Sequence, residues 1–409
     1  MMFLEFYLAK RGETMSFSVN GGTPSGYYRS ILELEAEWGQ KRTIHKAGQV
    51  IPFDFGRAAH FIAPKSTESS IHPALTPYCL QPIGGYVATI SSGRVWGESG
   101  AVLSPEGKLI FDLSQEYDAM QNRMLEAEEH PVFHQWNDPK LQYLEGTVAV
   151  LTFCGSYNYF HWLYDVLPRL AMLKMSGIPY TSILMNPNPY GPFVEQTWAM
   201  LGISESSVIR TNPEAFFEAD QLLIPSLMMN SHYPPWTTDT LRKLLLPHRE
   251  STLATPERIY ISRNKASTRR LVNEEEVIRC LEEYSIQPIH LEDWTVAQQI
   301  QLFASAKLIL GAHGAGLANL AFCQPGTQVI EIVHKQHVVP TYWMISNHNA
   351  LDYYMMYGQG WPDPAIRFPG FEDIYVDMDR LKQILHLAGS VTGIYSSIIG
   401  NPIDPQSTA

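Results

Sequence analysis

The sequence predicts an α/β protein built around parallel sheets, and three observations carry that expectation. Apolar strand-like runs alternate with helical stretches from about residue 146 to 225, and the alternation resumes from about 255 to 370. Between two apolar runs, the stretch LILGAHGAGLANLAF (Leu308 to Phe322) has the form of a strand, a glycine turn and a helix start. The bulk properties agree. Apolar residues make up 45% of the 409 and charged residues 17%, a globular composition long enough for two domains.

Taken in order, residues 1 to about 70 give little periodicity; GGTPSG and PKSTESS read as loops. From Tyr78 to Phe111 the runs GGYVATI, GRVWG and AVLSPEGKLIFDL are rich in strand formers, and Ser104-Pro105-Glu106-Gly107 is placed to turn a hairpin. GTVAVLTF reads as a buried strand followed by the helical stretch NYFHWLYDVLPRLAMLKMSG. ILMN, VEQTWAMLGI, SVIR and QLLIPS continue the strand–helix–strand rhythm. In the second series RIYISR, QPIHL, LILGA and TQVIEIV are strands, with NEEEVIRCLEEYS, TVAQQIQLFASA and GLANLAF as the intervening helices. That makes a doubly wound unit over roughly 255 to 370, whose ligands are expected beyond the carboxyl ends of its strands. The tail from about Gly389, ending NPIDPQSTA, reads as loop.

Several function classes are disfavoured. A formal net charge of −12 argues against non-specific nucleic-acid binding. No uncharged apolar run of about 18 residues is present, so no membrane span is expected. The opening MMFLEFYLAKRGETMSFSVN has no basic n-region and is not expected to act as a signal peptide. Cys79, Cys154, Cys280 and Cys323 are scattered, which suits reduced thiols.

Three stretches hold groups capable of chemistry. From Gly314 the pattern is G-A-G-L-A-N, so the sixth-position glycine of a dinucleotide fingerprint is replaced by Asn319, which disfavours a nucleotide-dependent oxidoreductase. Glycines and a helix start still suit either an anion grip or a tight turn. Five of the 29 basic residues (Arg258, Arg263, Lys265, Arg269, Arg270) fall in RIYISRNKASTRRLVNEEEV, either a diphosphate clamp or a solvated loop balanced by Glu274 to Glu276. In NYFHWLYDVLPRL, helical spacing puts Asn158, His161 and Asp165 on one face. His161 and Asp165 would form either a base with its orienting partner or a polar patch. Pro168 is expected to disturb the helix around Tyr164. Asp377-Met378-Asp379 reads as a helix cap rather than a metal site, and His334 and His337 as loop histidines. No carboxylate pair suited to a glycoside hydrolase and no G-x-S-x-G elbow can be located.

In this order, N-x-x-H-W-x-x-D-x-x-P, ISR with RR-x-x-N-E, and G-x-H-G-A-G-L-x-N followed by P-G and V-I-E-I resemble glycosyltransferase family 61 over about residues 75 to 385. The resemblance implies a GT-B architecture, two facing Rossmann-like domains with a cleft between them. The division would be an N-terminal extension of open role over 1–74, an acceptor-side domain over 75–250, a nucleotide-sugar-binding domain over 251–375, and a C-terminal helix and tail over 376–409.

It implies an inverting transferase that moves a sugar from a nucleotide-sugar, UDP-linked in many members, to a hydroxyl of a glycan or lipid-linked glycan. No cofactor or divalent metal would be required. His161 and Asp165 would act at the acceptor hydroxyl with Asn158 beside them. Arg263 and Arg269 would contact the diphosphate, supported by Arg270 and Asn273. His313, Gly314, Gly316 and Asn319 would form the turn against phosphate and sugar, and Glu331 would take a ribose or other donor hydroxyl. Without secretory targeting, the resemblance points to a bacterial-type enzyme of capsular or other envelope polysaccharide synthesis in the cytoplasm, compatible with peripheral contact at the inner membrane face. A non-catalytic nucleotide- or polysaccharide-binding assembly protein is the competing reading; oligomeric state is left open.

Overall fold

The computed structural model describes residues 23–41, 48–118, 121, 123–187, 191–228 and 233–389. The opening segment to residue 22 and the tail from 390 lie outside the described residues, so the readings made on them stay expectations.

Ten strands form the first sheet: β1 (Tyr27–Tyr28), β2 (Gly48–Phe53), β3 (Gly85–Ser91), β4 (Arg94–Trp96), β5 (Ala101–Leu103), β6 (Leu109–Ile110), β7 (Gln142–Val150), β8 (Ser182–Met185), β9 (Val208–Arg210) and β10 (Phe216–Pro225). The path is β1-β6-β5-β4-β10-β7-β8-β9, with β2 and β3 attached beside β10. β10 joins two halves. It runs parallel to β7, from Gln142↔Phe217 to Ala149↔Leu223, and antiparallel to β3 and β4 on its other side. The strand–helix rhythm of residues 146–225 therefore forms a parallel half-sheet, and the Tyr78–Phe111 region supplies an antiparallel half that the rhythm alone does not reveal. Ser104 and Gly107 close the expected turn, with Gly107 N–H donating to Ser104 C=O at 2.9 Å.

The second sheet holds β11 (Arg258–Ile261), β12 (Gln287–Ile289), β13 (Leu308–Ala312), β14 (Gln328–His334), β15 (Asp352–Trp361) and β16 (Asp373–Tyr375), ordered β12-β11-β13-β14-β15-β16. All neighbours are parallel except β15 and β16. Every residue of β13 is buried, as its unbroken LILGA run requires of a strand covered on both faces.

Residues 54–78, featureless in the sequence, strap the two sheets together. Having paired with β3 through β2, the chain crosses to the second sheet. Lys65 N–H donates to Tyr353 C=O (3.0 Å), Met355 N–H donates to Lys65 C=O (2.9 Å), and Trp343 Nε1 donates to Ile62 C=O (2.7 Å). One cluster of buried side chains runs from Leu163, Leu167 and Trp198 to Ile259, Phe303 and Trp343, so the sheets share a core.

The helical stretch after β7 has three parts: α-helix over Tyr159–His161, a π-turn over Trp162–Val166, and α-helix again over Leu167–Ser176. Pro168 offers no N–H to Tyr164 C=O, and the wider turn lies directly before it. Gly177, at φ 67°, caps the helix in the left-handed conformation. Asp377 caps Met378–Leu387 by accepting from the N–H groups of Asp379 and Arg380. GLANLAF forms 3₁₀ rather than α turns, over Ala315–Phe322.

Candidate functional site

The glycine turn after β13 and the arginine loop after β11 leave adjacent parallel strands at their carboxyl ends. Arg263 lies across Gly314: a Cβ on that glycine would stand 1.8 Å from Arg263 Nη1 and 2.8 Å from Cζ. Gly314 has an extended backbone (φ 178°), so the need for glycine is one of space. Arg263 donates through Nε to Arg269 C=O (3.2 Å) and through Nη2 to Thr268 C=O (2.8 Å). Arg269 takes the left-handed backbone (φ 54°) unusual for a side chain of its size. It places its guanidinium 5.6 Å from the Phe371 ring centroid.

Among the described residues neither arginine has an ion-pair partner, and Arg269 Nε is buried with no hydrogen bond. Burial pulls both pKa values down, and beside Arg263 the Arg269 guanidinium falls to about 10. Two desolvated like charges with unused donors make a site that an anion would stabilise.

His313 follows β13 and is held from behind. Its Nδ1 is 2.6 Å from Glu331 Oε1, and Tyr353 Oη donates to Glu331 Oε2 at 2.6 Å. With Nδ1 engaged by Glu331, Nε2 is the ring nitrogen left for a ligand. Glu331 is 0% exposed, so it orients His313 instead of presenting itself to a ribose. This follows from β14 being buried along nearly its whole length, which makes Glu331 an interior residue.

A matching arrangement stands on the first-sheet side. His161 Nδ1 is 2.7 Å from Asp165 Oδ2, and Tyr233 Oη donates to the same oxygen at 3.0 Å. Burial next to these carboxylates holds the Tyr233 and Tyr353 pKa values well above the usual phenol range, so both stay donors. The His161 side chain is 38% exposed and that of His313 only 10%. Asn158 caps the helix, its side-chain oxygen accepting from Phe160 N–H at 2.9 Å.

Rings connect the two histidines. Phe160 packs on His161 (5.3 Å) and edge-on to Tyr342 (5.9 Å), and Tyr342 lies 4.9 Å from the His313 ring. His337, 5.6 Å from His313, completes this wall.

The remaining expected residues are engaged elsewhere. Asn319 is fully buried; it accepts from Tyr159 Oη (2.8 Å) and donates to Gln299 Oε1 and Gly316 C=O, fastening the first-sheet helix to the glycine turn. Arg270 turns to solvent and pairs with Asp373 at 2.7 Å. Asn273 bonds the backbone of Val376 in both directions, tying its loop to β16. Gly316 makes room for Leu291, whose Cδ1 would be 2.6 Å from an added Cβ.

Four contributors carry no local sequence signal: Tyr233, Tyr342, Tyr353 and Arg169. Arg169, 1% exposed, donates to the carbonyls of Val150, Thr152 and Pro225 and so locks the carboxyl ends of β7 and β10 under the His161 helix. Among the described residues, no group of three or more His, Cys, Asp or Glu side chains is placed to hold a metal ion.

Comparison with known proteins follows the same outline. Residues 159–330 match the family model described as Glycosyltransferase 61. The β-1,2-xylosyltransferase RCN11 of Oryza sativa subsp. japonica is 30% identical over 109 residues, which is 25% of this chain and 19% of that protein. A β-1,2-xylosyltransferase of Arabidopsis thaliana is 29% identical over 101 residues, 22% of this chain and 19% of that protein. The matched stretch thus spans about a fifth of the length of either plant relative. The segment carrying His161, Asp165, Arg263, Arg269 and His313 is therefore the segment that carries the match to the Glycosyltransferase 61 family model.

Proposed function

We propose that the chain is an inverting glycosyltransferase of GT-B type that moves a sugar from a UDP-linked donor to a hydroxyl of a glycan. The observation that carries this is the pair Arg263 and Arg269, half-buried with no ion pair among the described residues, with Arg263 packed on Gly314 at the carboxyl ends of β11 and β13. Displacement at the anomeric carbon builds negative charge on the leaving diphosphate, and these guanidinium groups are placed to offset it. His161 is the base. Its Nδ1–H donates to Asp165, its Nε2 lone pair is free to accept the acceptor's proton, and its greater exposure selects it over His313. His313, oriented by Glu331, lies on the donor side. Asp165 stabilises the imidazolium as the proton arrives.

The first sheet with its helices would be the acceptor-side domain and the second sheet the donor domain, with a boundary near residue 250. The relatives' names make UDP-xylose the first donor to test, followed by UDP-hexoses. The envelope-polysaccharide role and cytoplasmic site stand on the sequence resemblance alone. No helix among the described residues is long and apolar enough to cross a membrane.

Isothermal titration with UDP tests the reading. The chain should bind UDP, and Arg263→Ala should abolish binding while leaving the fold intact. No affinity for UDP or any other nucleotide would overturn the donor assignment. A nucleotide that binds, with no transfer to any acceptor, would favour a non-catalytic binding protein.

A further inference from the structure

A cavity of about 700 Å³ opens in the first sheet, away from the arginines. It lies at the carboxyl ends of β7, β8 and β9, where Cys154, Asn186 and Pro213 follow the three strands, and the end of β4 closes it through Trp96 and Glu98. Parallel sheets take their ligands at this edge. Its size is that of an ordinary small-molecule site.

Its wall is chemically one-sided. Among the described lining residues the charged side chains are Glu98 and Glu116, and no Lys, Arg or His lines it. The nearby Arg210 is occupied, paired with Glu205 at 2.6 Å. The hydrogen-bonding groups are amides and hydroxyls, Gln135, Asn137 and Ser156 among them. Two rings complete it: Tyr157 is 51% exposed at the rim, and Trp96, buried and stacked on Trp136 at 5.9 Å, has an indole N–H without a partner.

The cavity adjoins the proposed base. Its wall includes Cys154, Ser156 and Tyr157, and between them Gly155 lies under the His161 ring, where an added Cβ would be 3.0 Å from Cδ2.

We infer that this cavity is the acceptor subsite and that it selects an uncharged saccharide, excluding uronic acids and phosphorylated sugars. The inference rests on the reading of His161 as base. The exposed Tyr157 ring suits the C–H face of a sugar, amides donate to and accept from its hydroxyls, carboxylates accept from them, and two carboxylates without a counter-cation repel an anion. Burial raises the Glu116 pKa, while Glu98 stands exposed at the rim. The donor loop, with its two arginines, has the opposite charge. The fold thereby sorts its two substrates by sign.

The test uses the full chain with xylobiose, lactose and N,N′-diacetylchitobiose as neutral probes and digalacturonic acid as the anionic one, followed by saturation-transfer NMR. At least one neutral disaccharide should bind, with digalacturonic acid at least about tenfold weaker. Gln135→Trp and Asn137→Trp, both at exposed positions, should fill the cavity and remove saccharide binding while the UDP affinity stays at wild type. Glu98→Lys should narrow the preference against digalacturonic acid. Saccharide binding that survives both tryptophan variants, equal binding of digalacturonic acid, or no saccharide binding at all would overturn the inference. A chain that binds neutral disaccharides in this cavity-dependent way but binds no nucleotide would keep the inference and sink the donor assignment instead.

Discussion

Gly314→Ala separates the donor grip from the fold. The added methyl would stand 1.8 Å from Arg263 Nη1, where ordinary contact begins at 3.4 Å, so the guanidinium must retreat by roughly 1.6 Å. Backbone conformation poses no obstacle, since φ is 178° and alanine accepts that value freely. The atom in the way is the far end of a flexible side chain. Stability should therefore change by no more than about 1 kcal/mol. The retreat takes Nη1 out of the clamp, while Nε and Nη2 make the bonds that hold the loop. Losing one charge-assisted contact to a phosphate costs about 1.5–3 kcal/mol, which is roughly 10- to 150-fold in affinity. Calorimetry with UDP reads the affinity, and thermal melting of the same sample reads the fold. An alanine variant that binds UDP as wild type does would refute the reasoning, because Arg263 could then not be both pressed on Gly314 and holding the diphosphate.

Further outcomes follow from the same geometry. His161→Ala and Asp165→Asn should each lower kcat by about 10²-fold or more with UDP affinity preserved, as steady-state transfer assays and calorimetry would show; transfer at the wild-type rate in either variant would remove that residue from the proton path. Arg169→Met leaves the carbonyls of Val150, Thr152 and Pro225 without their donor and should cost about 3–5 kcal/mol, measured as a lower urea midpoint. His130 and His348 are buried, and desolvation pushes their pKa values down to about 4 and about 3. Unfolded histidine titrates near about 6.5, so below that pH the unfolded chain binds more protons. Their stabilisation is complete above about pH 6.5 and is lost as pH falls toward 4, at up to about 1.4 kcal/mol per pH unit for each group. Urea titrations at pH 7.5, 6 and 5 should show this slope, and His130→Gln should flatten it.

What could be read from the sequence was whatever depends on neighbours along the chain. The 3.6-residue period put His161 and Asp165 together, Pro168 announced the irregular turn at Trp162–Val166, and the Arg263 and Gly314 loops were visible because each follows an apolar strand run. Contributions that depend on distant pairing were not visible. Tyr233, Tyr342 and Tyr353 are single tyrosines in unremarkable surroundings, and only the packing of the two sheets brings them to Asp165, His313 and Glu331. Asn319 sat in a motif that looked like a ligand turn, yet its bond from Tyr159 makes it a fastener between the two sheet regions. The strands and the Ser104–Gly107 turn of the antiparallel half were legible, but their pairing with β10 and β2 and the strap over residues 54–78 were hidden because the partners lie far away in sequence.

Three arginines, Arg169 fully buried and Arg263 and Arg269 half-buried, show how the chain distinguishes support from site. Arg169 is as fully desolvated as any charge in the molecule, with a pKa pushed down to about 10, but it spends its donors on three carbonyls and lies within the field of Asp165. It can be removed only at the expense of strand ends, and it has nothing to offer a ligand. Arg263 spends Nε and Nη2 on its own loop and keeps Nη1 against Gly314, while Arg269 leaves Nε unused and makes a long hydrogen bond to Gly370 C=O at 3.4 Å beside the Phe371 ring. These two also repel each other, a cost that internal packing does not offset and a bound anion would. Residue type and desolvation are thus shared by all three; what differs is the number of donors left unspent. By that criterion the Arg263–Arg269 pair, with donors unspent, is where a bound anion would gain most.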